Sequence, residues 1–153
     1  MSNGLVIRAE QPGDLDAVRA LVVDASGDES RAALLDALRT SDAWLHLSFV
    51  AELDGEVVGH VAYTRAWVDD PSELVEVLVL SPLSIRPDHV SKGIGTALVI
   101  ESLDQLGERE EPLVFLEGDP GYYSRLGFVP GEPLGFRSPS ARIPRGAFQV
   151  RTL

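Results

Sequence analysis

Residues 83–106 read Leu83-Ser84-Ile85-Arg86-Pro87-Asp88-His89-Val90-Ser91-Lys92-Gly93-Ile94-Gly95-Thr96, followed by Ala97-Leu98-Val99-Ile100-Glu101-Ser102-Leu103-Asp104-Gln105-Leu106. An apolar strand end, a loop with a Gly-x-Gly pair, and Ile94, Leu98, Val99, Leu103 and Leu106 at helical spacing predict strand, glycine loop and a helix packed back on the strand. Such a loop at a helix start lets backbone N–H groups converge on an anion, and the helix dipole adds favourable potential there. A pyrophosphate suits that cradle. Gly93-Ile94-Gly95 alone equally suits a tight turn, because it lacks the third glycine of a dinucleotide-binding fingerprint and the Gly-Lys-Ser/Thr of a P-loop.

Upstream, Leu47 to Leu53, then Asp54-Gly55, then Glu56 to Tyr63 read as strand, two-residue turn and strand. A third strand runs from Leu74 through Leu80, and Ser81-Pro82 interrupts it before Leu83-Ser84-Ile85. Proline donates no ladder hydrogen bond, so Pro82 implies a bulge or a splay from one neighbour. Nearer the start, Leu5 to Arg8 reads as a short strand. Leu15, Val18, Leu21, Val22 and Ala25 mark the buried stripe of a first helix, and Ala33, Leu34, Ala37 and Leu38 that of a second. Downstream, Glu108 to Glu111 read as a solvated charge run, Leu113 to Leu116 as a buried strand, Pro120 to Leu126 as a short helix, and Ala147 to Leu153 as a final strand at or near a sheet edge.

The 153 residues suit one domain, and 44% hydrophobic with 24% charged residues is the composition of a globular chain. Twenty-four acidic against 13 basic residues give a net charge of −11, which repels phosphate backbones and anionic lipid, so neither nucleic acid nor membrane is an expected partner. Zero cysteines exclude a disulfide scaffold, a cysteine-based zinc site and a thiol nucleophile. His46, His60 and His89 are scattered without paired ligand spacing, so no metal is expected. Met1-Ser2-Asn3-Gly4 runs straight into Leu5-Val6-Ile7, too short for a signal core, and no apolar run reaches the roughly 18 residues of a bilayer span. A cytoplasmic location is the expectation.

The order of elements, with Ile85-Arg86-Pro87 before Val90-Ser91-Lys92-Gly93-Ile94-Gly95 and Tyr123-Ser124-Arg125-Leu126-Gly127-Phe128 downstream, resembles the general-control-related N-acetyltransferase (GNAT) superfamily. Leu80 to Ile85, the Gly118-Asp119-Pro120 stretch with Tyr122 and Tyr123, and the Arg/Pro-rich tail look like its bacterial YhbS-like subgroup. The resemblance implies an α/β (α+β) fold over residues 1–153: a mixed, mostly antiparallel central sheet of six to seven strands with one splayed, bulged strand, flanked by about four helices. One departure stands out. Val90 occupies the place of the family's Gln or Arg, which removes one side-chain contact to a phosphate.

The resemblance further implies acetyl-CoA as donor and a primary amine of a small molecule or protein as acceptor, attacking the thioester directly. Leu83, Ser84 and Ile85 would hold the pantetheine arm through the backbone, and Ser91, Lys92, Gly93, Ile94, Gly95 and Thr96 the pyrophosphate. Tyr123 matches the position of the proton donor to the departing thiolate, with Tyr122 beside it as competitor. The family's strand glutamate falls at Val79 or Leu80 and is missing, which leaves Glu76, His60 or water to deprotonate the amine. A non-catalytic acyl-CoA-binding module is the alternative from another class, and an RNA-directed acetyltransferase is disfavoured by the acidic balance. The terminal strand at a sheet edge suggests a homodimer.

Overall fold

The computed structural model describes residues 4–107, 109–144 and 146–153; Glu108 and Arg145, at the ends of two segments read above, lie outside them, as do Met1, Ser2 and Asn3. Among the described residues seven strands form one sheet: β1 (Leu5–Ala9), β2 (Trp44–Leu53), β3 (Glu56–Asp70), β4 (Glu73–Ile85), β5 (Leu113–Glu117), β6 (Val129–Pro130) and β7 (Phe148–Thr152), in the order β1-β2-β3-β4-β5-β7-β6. Only β4 and β5 pair in parallel. Four helices flank the sheet: α1 (Leu15–Ser26), α2 (Ser30–Arg39), α3 (Ile94–Gln105) and α4 (Pro120–Tyr123). This is the mixed, mostly antiparallel architecture expected from the sequence.

The β2–β3 turn forms because Asp54 (φ 52°) and Gly55 (φ 83°) both take left-handed backbone, the pairing that matches strand twist in a two-residue hairpin. Opposite, Val61 faces Leu83 while Tyr63 faces Leu80, so β4 spends three residue steps on two of β3. The extra residue falls at Ser81-Pro82, where the chain bulges as the proline requires. The terminal strand β7 is penultimate, and β6 covers it only opposite Gln149 and Val150.

Side-chain alternation divides the core. On one face α3 lays Leu98, Val99 and Leu103 over Val61, Tyr63, Leu78 and Leu80, and the buried Tyr63 hydroxyl meets Ser102 Oγ at 2.7 Å. On the other, α1 and α2 gather Val18, Val22, Ala32 and Leu35 around Val50. Beyond their reach the same face carries Val77, Phe115 and Val150, with Phe136 and Phe148 packed on them.

Two expectations change. The stripe read on the second helix does not face the core: α2 buries Ala32 and Leu35 and leaves Ala33, Leu34 and Ala37 exposed, Leu34 by 50%. It docks against α1 and so presents a neighbouring face, and on α1 Leu15 and Ala25 are likewise exposed. Glu111, read within a solvated charge run, is only 7% exposed, because Arg109 clasps its carboxylate with two hydrogen bonds of 2.9 Å.

Beneath α1 and α2 lies a polar chain. Arg39 donates to Glu10 Oε2 at 2.7 Å, Ser48 donates to Glu10 Oε1, and Ser48 Oγ lies 2.7 Å from His60 Nε2. His60 is fully buried, and burial pushes its pKa down. Burial alone would raise Glu10, but the nearby His60 and hydrogen bonds from Arg39 and Ser48 hold it at about 2. Both groups take up protons more readily once unfolded, so each loses stability towards acid. His60 contributes its loss below its ordinary 6.5, and Glu10 between its ordinary 4.5 and about 2. Denaturant midpoints measured from pH 8 to pH 2 should fall in both windows, and Glu10→Gln should lower the neutral plateau and shrink the lower descent; an undiminished lower descent in that variant contradicts the assignment.

Candidate active site

Past the bulge, hydrogen-bond alternation decides which backbone groups are free. Arg86 N–H donates to Val58 C=O at 2.8 Å, so two residues back Ser84, opposite His60, turns its N–H and C=O toward β3. Those of Leu83 and Ile85 therefore point away from β3. On that side β5 has already parted, since its last pair with β4 is Val79 with Phe115. The result is a strand edge opened inside the sheet.

The glycine loop stands next to that edge. Ser91 (φ 68°) and Gly93 (φ 81°) both take left-handed backbone, and Gly93 caps α3 from that conformation. This turns the first amides of the helix outward, where they lack helical partners. A Cβ built on Gly93 meets nothing within 4 Å, so the loop opens onto free space that a ligand can enter. Gly95 is glycine for another reason: a Cβ there lies 3.2 Å from Tyr122 Oη and 3.7 Å from Ile85 Cγ1. Tyr122 rests over the helix start, with its hydroxyl 3.0 Å from Thr96 Oγ1.

A cleft of ≈ 590 Å³ results, lined by Leu83, Ile85, Ser91, Gly93, Gly95 and Thr96. Six of the expected cofactor residues therefore converge. The other three do not line it: Ser84 is buried with its backbone turned to β3, Ile94 packs in the core, and Lys92 is exposed outside the cleft. The lining also includes Tyr122, His89 and Arg125, the last with its guanidinium 5.8 Å from the Tyr122 ring. Arg125 puts a cation into the cleft whose rim holds the apolar Val90. The spacing of three between Tyr122 and Arg125, one helical turn, is the signal that places both on one side. Backbone amides, a helix start, hydroxyls and one guanidinium form a donor set that fits a pyrophosphate.

Tyr123 stands elsewhere. Its ring lies edge-on to Phe128 at 5.8 Å and Tyr122 at 4.9 Å, and it presses so near Gly118 that a Cβ there would come within 2.4 Å of its Cε2. Burial, then the neighbouring Tyr122, pushes its pKa up to about 12. It lines a second cavity of ≈ 760 Å³ at the β4–β5 seam, together with Leu80, Ser81, Pro82, Glu117 and Asp119. Leu83 borders both this cavity and the cleft. Neither carboxylate-or-imidazole candidate for the base is there: Glu76 pairs with Arg65 at 3.3 Å on the α3 side of the sheet, and His60 is sealed beneath α1 and α2. Glu117 was overlooked in the sequence, although its place two residues after Phe115 on one strand puts both on one face.

A sheet parted by a bulge, a glycine-capped helix beside the free edge and a tyrosine at the seam define an acyltransferase. The chain belongs to the acetyltransferase (GNAT) family, which it matches over residues 15–128. It is 35% identical over 152 residues to the uncharacterized N-acetyltransferase YhbS of Escherichia coli strain K12, covering 97% of this chain and 87% of that protein. The crystal structure of Escherichia coli YhbS in complex with CoA superposes with a TM-score of 0.86 at 32% identity, over 97% of this chain and 81% of that one. A GNAT-family acetyltransferase from Brucella melitensis, solved with acetyl-CoA, gives 0.77 at 30% identity, over 97% and 88%. Among the described residues no helix is long and apolar enough to cross a membrane.

The open space above Gly93 yields a prediction. Gly93→Ala puts a methyl into the cradle and strains a left-handed residue by about 1 kcal/mol. Calorimetric CoA affinity should fall about tenfold or more while the melting temperature drops by only a few degrees; unchanged affinity contradicts the cradle.

Proposed function

We propose that residues 1–153, as a single domain, transfer the acetyl group of acetyl-CoA to the primary amine of a small molecule or a protein. The observation that carries this reading is the free backbone edge of Leu83 and Ile85, continuous with the glycine cradle on one side and with Tyr123 on the other. Acetyl-CoA, when bound, supplies a thioester that an amine attacks directly, so the chain needs no nucleophile and loses nothing by having no cysteine.

The residues divide the work. Leu83 and Ile85 offer N–H and C=O groups to an extended amide-bearing arm as a neighbouring strand would. The amides from Ser91 to Thr96, with Lys92 outside and Arg125 in the cleft, hold the phosphates. Tyr123 Oη keeps its proton at every working pH, since its pKa is near 12, and offers it as a hydrogen bond to the sulfur that departs. Tyr122 serves the cleft through Thr96 rather than the seam. The reading includes a cytoplasmic location and a homodimer joined along the outer edge of β7, which β6 leaves largely bare.

Tyr123→Phe keeps the ring and removes the proton. Turnover should fall about a hundredfold, with CoA affinity and melting temperature nearly unchanged. Tyr122→Phe should instead raise KM for acetyl-CoA and spare kcat. A Tyr123→Phe variant at wild-type rate, or a crippled kcat in the Tyr122 variant alone, reverses the two roles. Sedimentation equilibrium should give twice the chain mass; a monomer at working concentration removes the dimer from the reading.

A further inference from the structure

The seam cavity does not end at the seam. A groove of ≈ 520 Å³ adjoins it on the face away from α3, and the two share Val79, Phe115, Pro139 and Phe148. Cleft, seam cavity and groove therefore adjoin in turn, from beside α3, past the gap between β4 and β5, to the opposite face. A donor entering from one side and an acceptor from the other meet at Ser81, Pro82 and Tyr123.

The groove has ligand size and its walls are shaped. Its floor is Val77, Val79, Phe115 and Phe148, and Phe136 comes over from the tail. The Phe115 and Phe148 rings are stacked, 5.4 Å apart and 8° from parallel, while Phe136 stands edge-on to Phe115 at 5.1 Å and 81°. These rings cover one another and leave Phe115 only 6% exposed, so a ligand meets the half-buried Phe136 and Phe148 and the exposed Trp67, an apolar aromatic wall that favours an apolar body over a charged one.

The charges are arranged to match. Glu117 pairs with Phe148 across β5 and β7, so it shares the face of the groove, and it lies at the seam end beside Tyr123. Among the described residues its side chain has no hydrogen bond or ion pair, whereas the neighbouring Asp119 is occupied in capping α4 by accepting from Gly121 N–H at 2.9 Å. Arg31 and Arg137, both exposed, reach the walls from α2 and the tail, so the carboxylates of Glu117, at the seam, and Asp69, on β3 in the groove, are on strands and the cations on the covering segments.

We propose that the acceptor is a small primary amine with an apolar body, its ammonium received by Glu117 at the seam and its body lying along Val79 and Phe148. This rests on the acetyltransferase reading and names the acceptor's class. The net charge of −11 draws such a cation in.

The test compares propylamine with 3-phenylpropylamine by CoA thiol release. The aryl amine should have a kcat/KM about tenfold higher or more, the scale of filling an apolar subsite. Glu117→Gln should lower kcat/KM for it about tenfold with CoA affinity retained, and Ala66→Phe, which fills the groove, should bring the ratio of the two amines toward unity. 3-Phenylpropanol, which has the body without the charge, should compete with the aryl amine in the wild type, a readout that needs no variant. Equal turnover of both amines, or preference for a peptide N-terminus over either, overturns the inference and leaves the acetyltransferase standing. No CoA binding by calorimetry overturns both.

Discussion

Pro82 has no amide hydrogen, and with Ser81 it gives β4 three residues for two of β3. From that extra residue onward β4 must follow either β3 or β5. It follows β3, through Leu83, Ser84 and Ile85, while β5 stays with β7 through all five of its residues. The parallel contact thus shrinks to Leu78 with Val114 and Val79 with Phe115. Backbone groups inside a sheet normally have partners, and leaving them dry costs free energy. Here the loss of β5 exposes those of Leu83 and Ile85 to a cleft where water or an extended ligand can satisfy them.

The divided core follows from the same opening. On the α3 side the packing runs unbroken to the glycine loop, which fixes Gly93 and Thr96 relative to the strand edge. On the other side α1 and α2 stop short, and aromatic rings rather than a helix cover the end of the sheet. The chain from Arg39 through Glu10 and Ser48 to His60 ties α2 to β2, to β3 and to the residue that follows β1. Its hydrogen bonds are directional and hold one arrangement where an apolar contact would slide, although His60 Nδ1 finds no partner among the described residues. It is structural, and this is why His60, which the sequence offers as a base, has no route to the seam.

Much of this was legible in advance because it depends on neighbours along the chain. Asp54-Gly55 dictates its turn, Pro82 its bulge and Gly93 its left-handed cap, whatever surrounds them. The faces of short helices were not legible, since Leu34 and Leu35 differ only in what α1 leaves open to each. Nor was the burial of Glu111, which depends on Arg109 folding back. Tyr122 and Tyr123 could not be separated by motif alone; adjacent residues on a turn diverge in direction, and only the approach of Gly95 to one and Gly118 to the other assigns cleft and seam. Glu117 was missed because its meaning comes from a gap between β4 and β5, strands that the whole of α3 separates along the chain.

Charge presents the site with opposing demands. A surface carrying −11 attracts an ammonium and repels a pyrophosphate. Separation across the sheet resolves them. The cleft beside α3 has outward amides, the positive end of a helix and Arg125, all within reach of a phosphate, and at ordinary ionic strength charges beyond about 10 Å are screened. Short-range donors therefore outweigh the distant carboxylates on that face. On the far face the exposed Glu117 side chain lines the seam cavity with no ion pair among the described residues. The opening at Pro82 is what lets these two environments, each hostile to the other's ligand, touch at one point beside Tyr123.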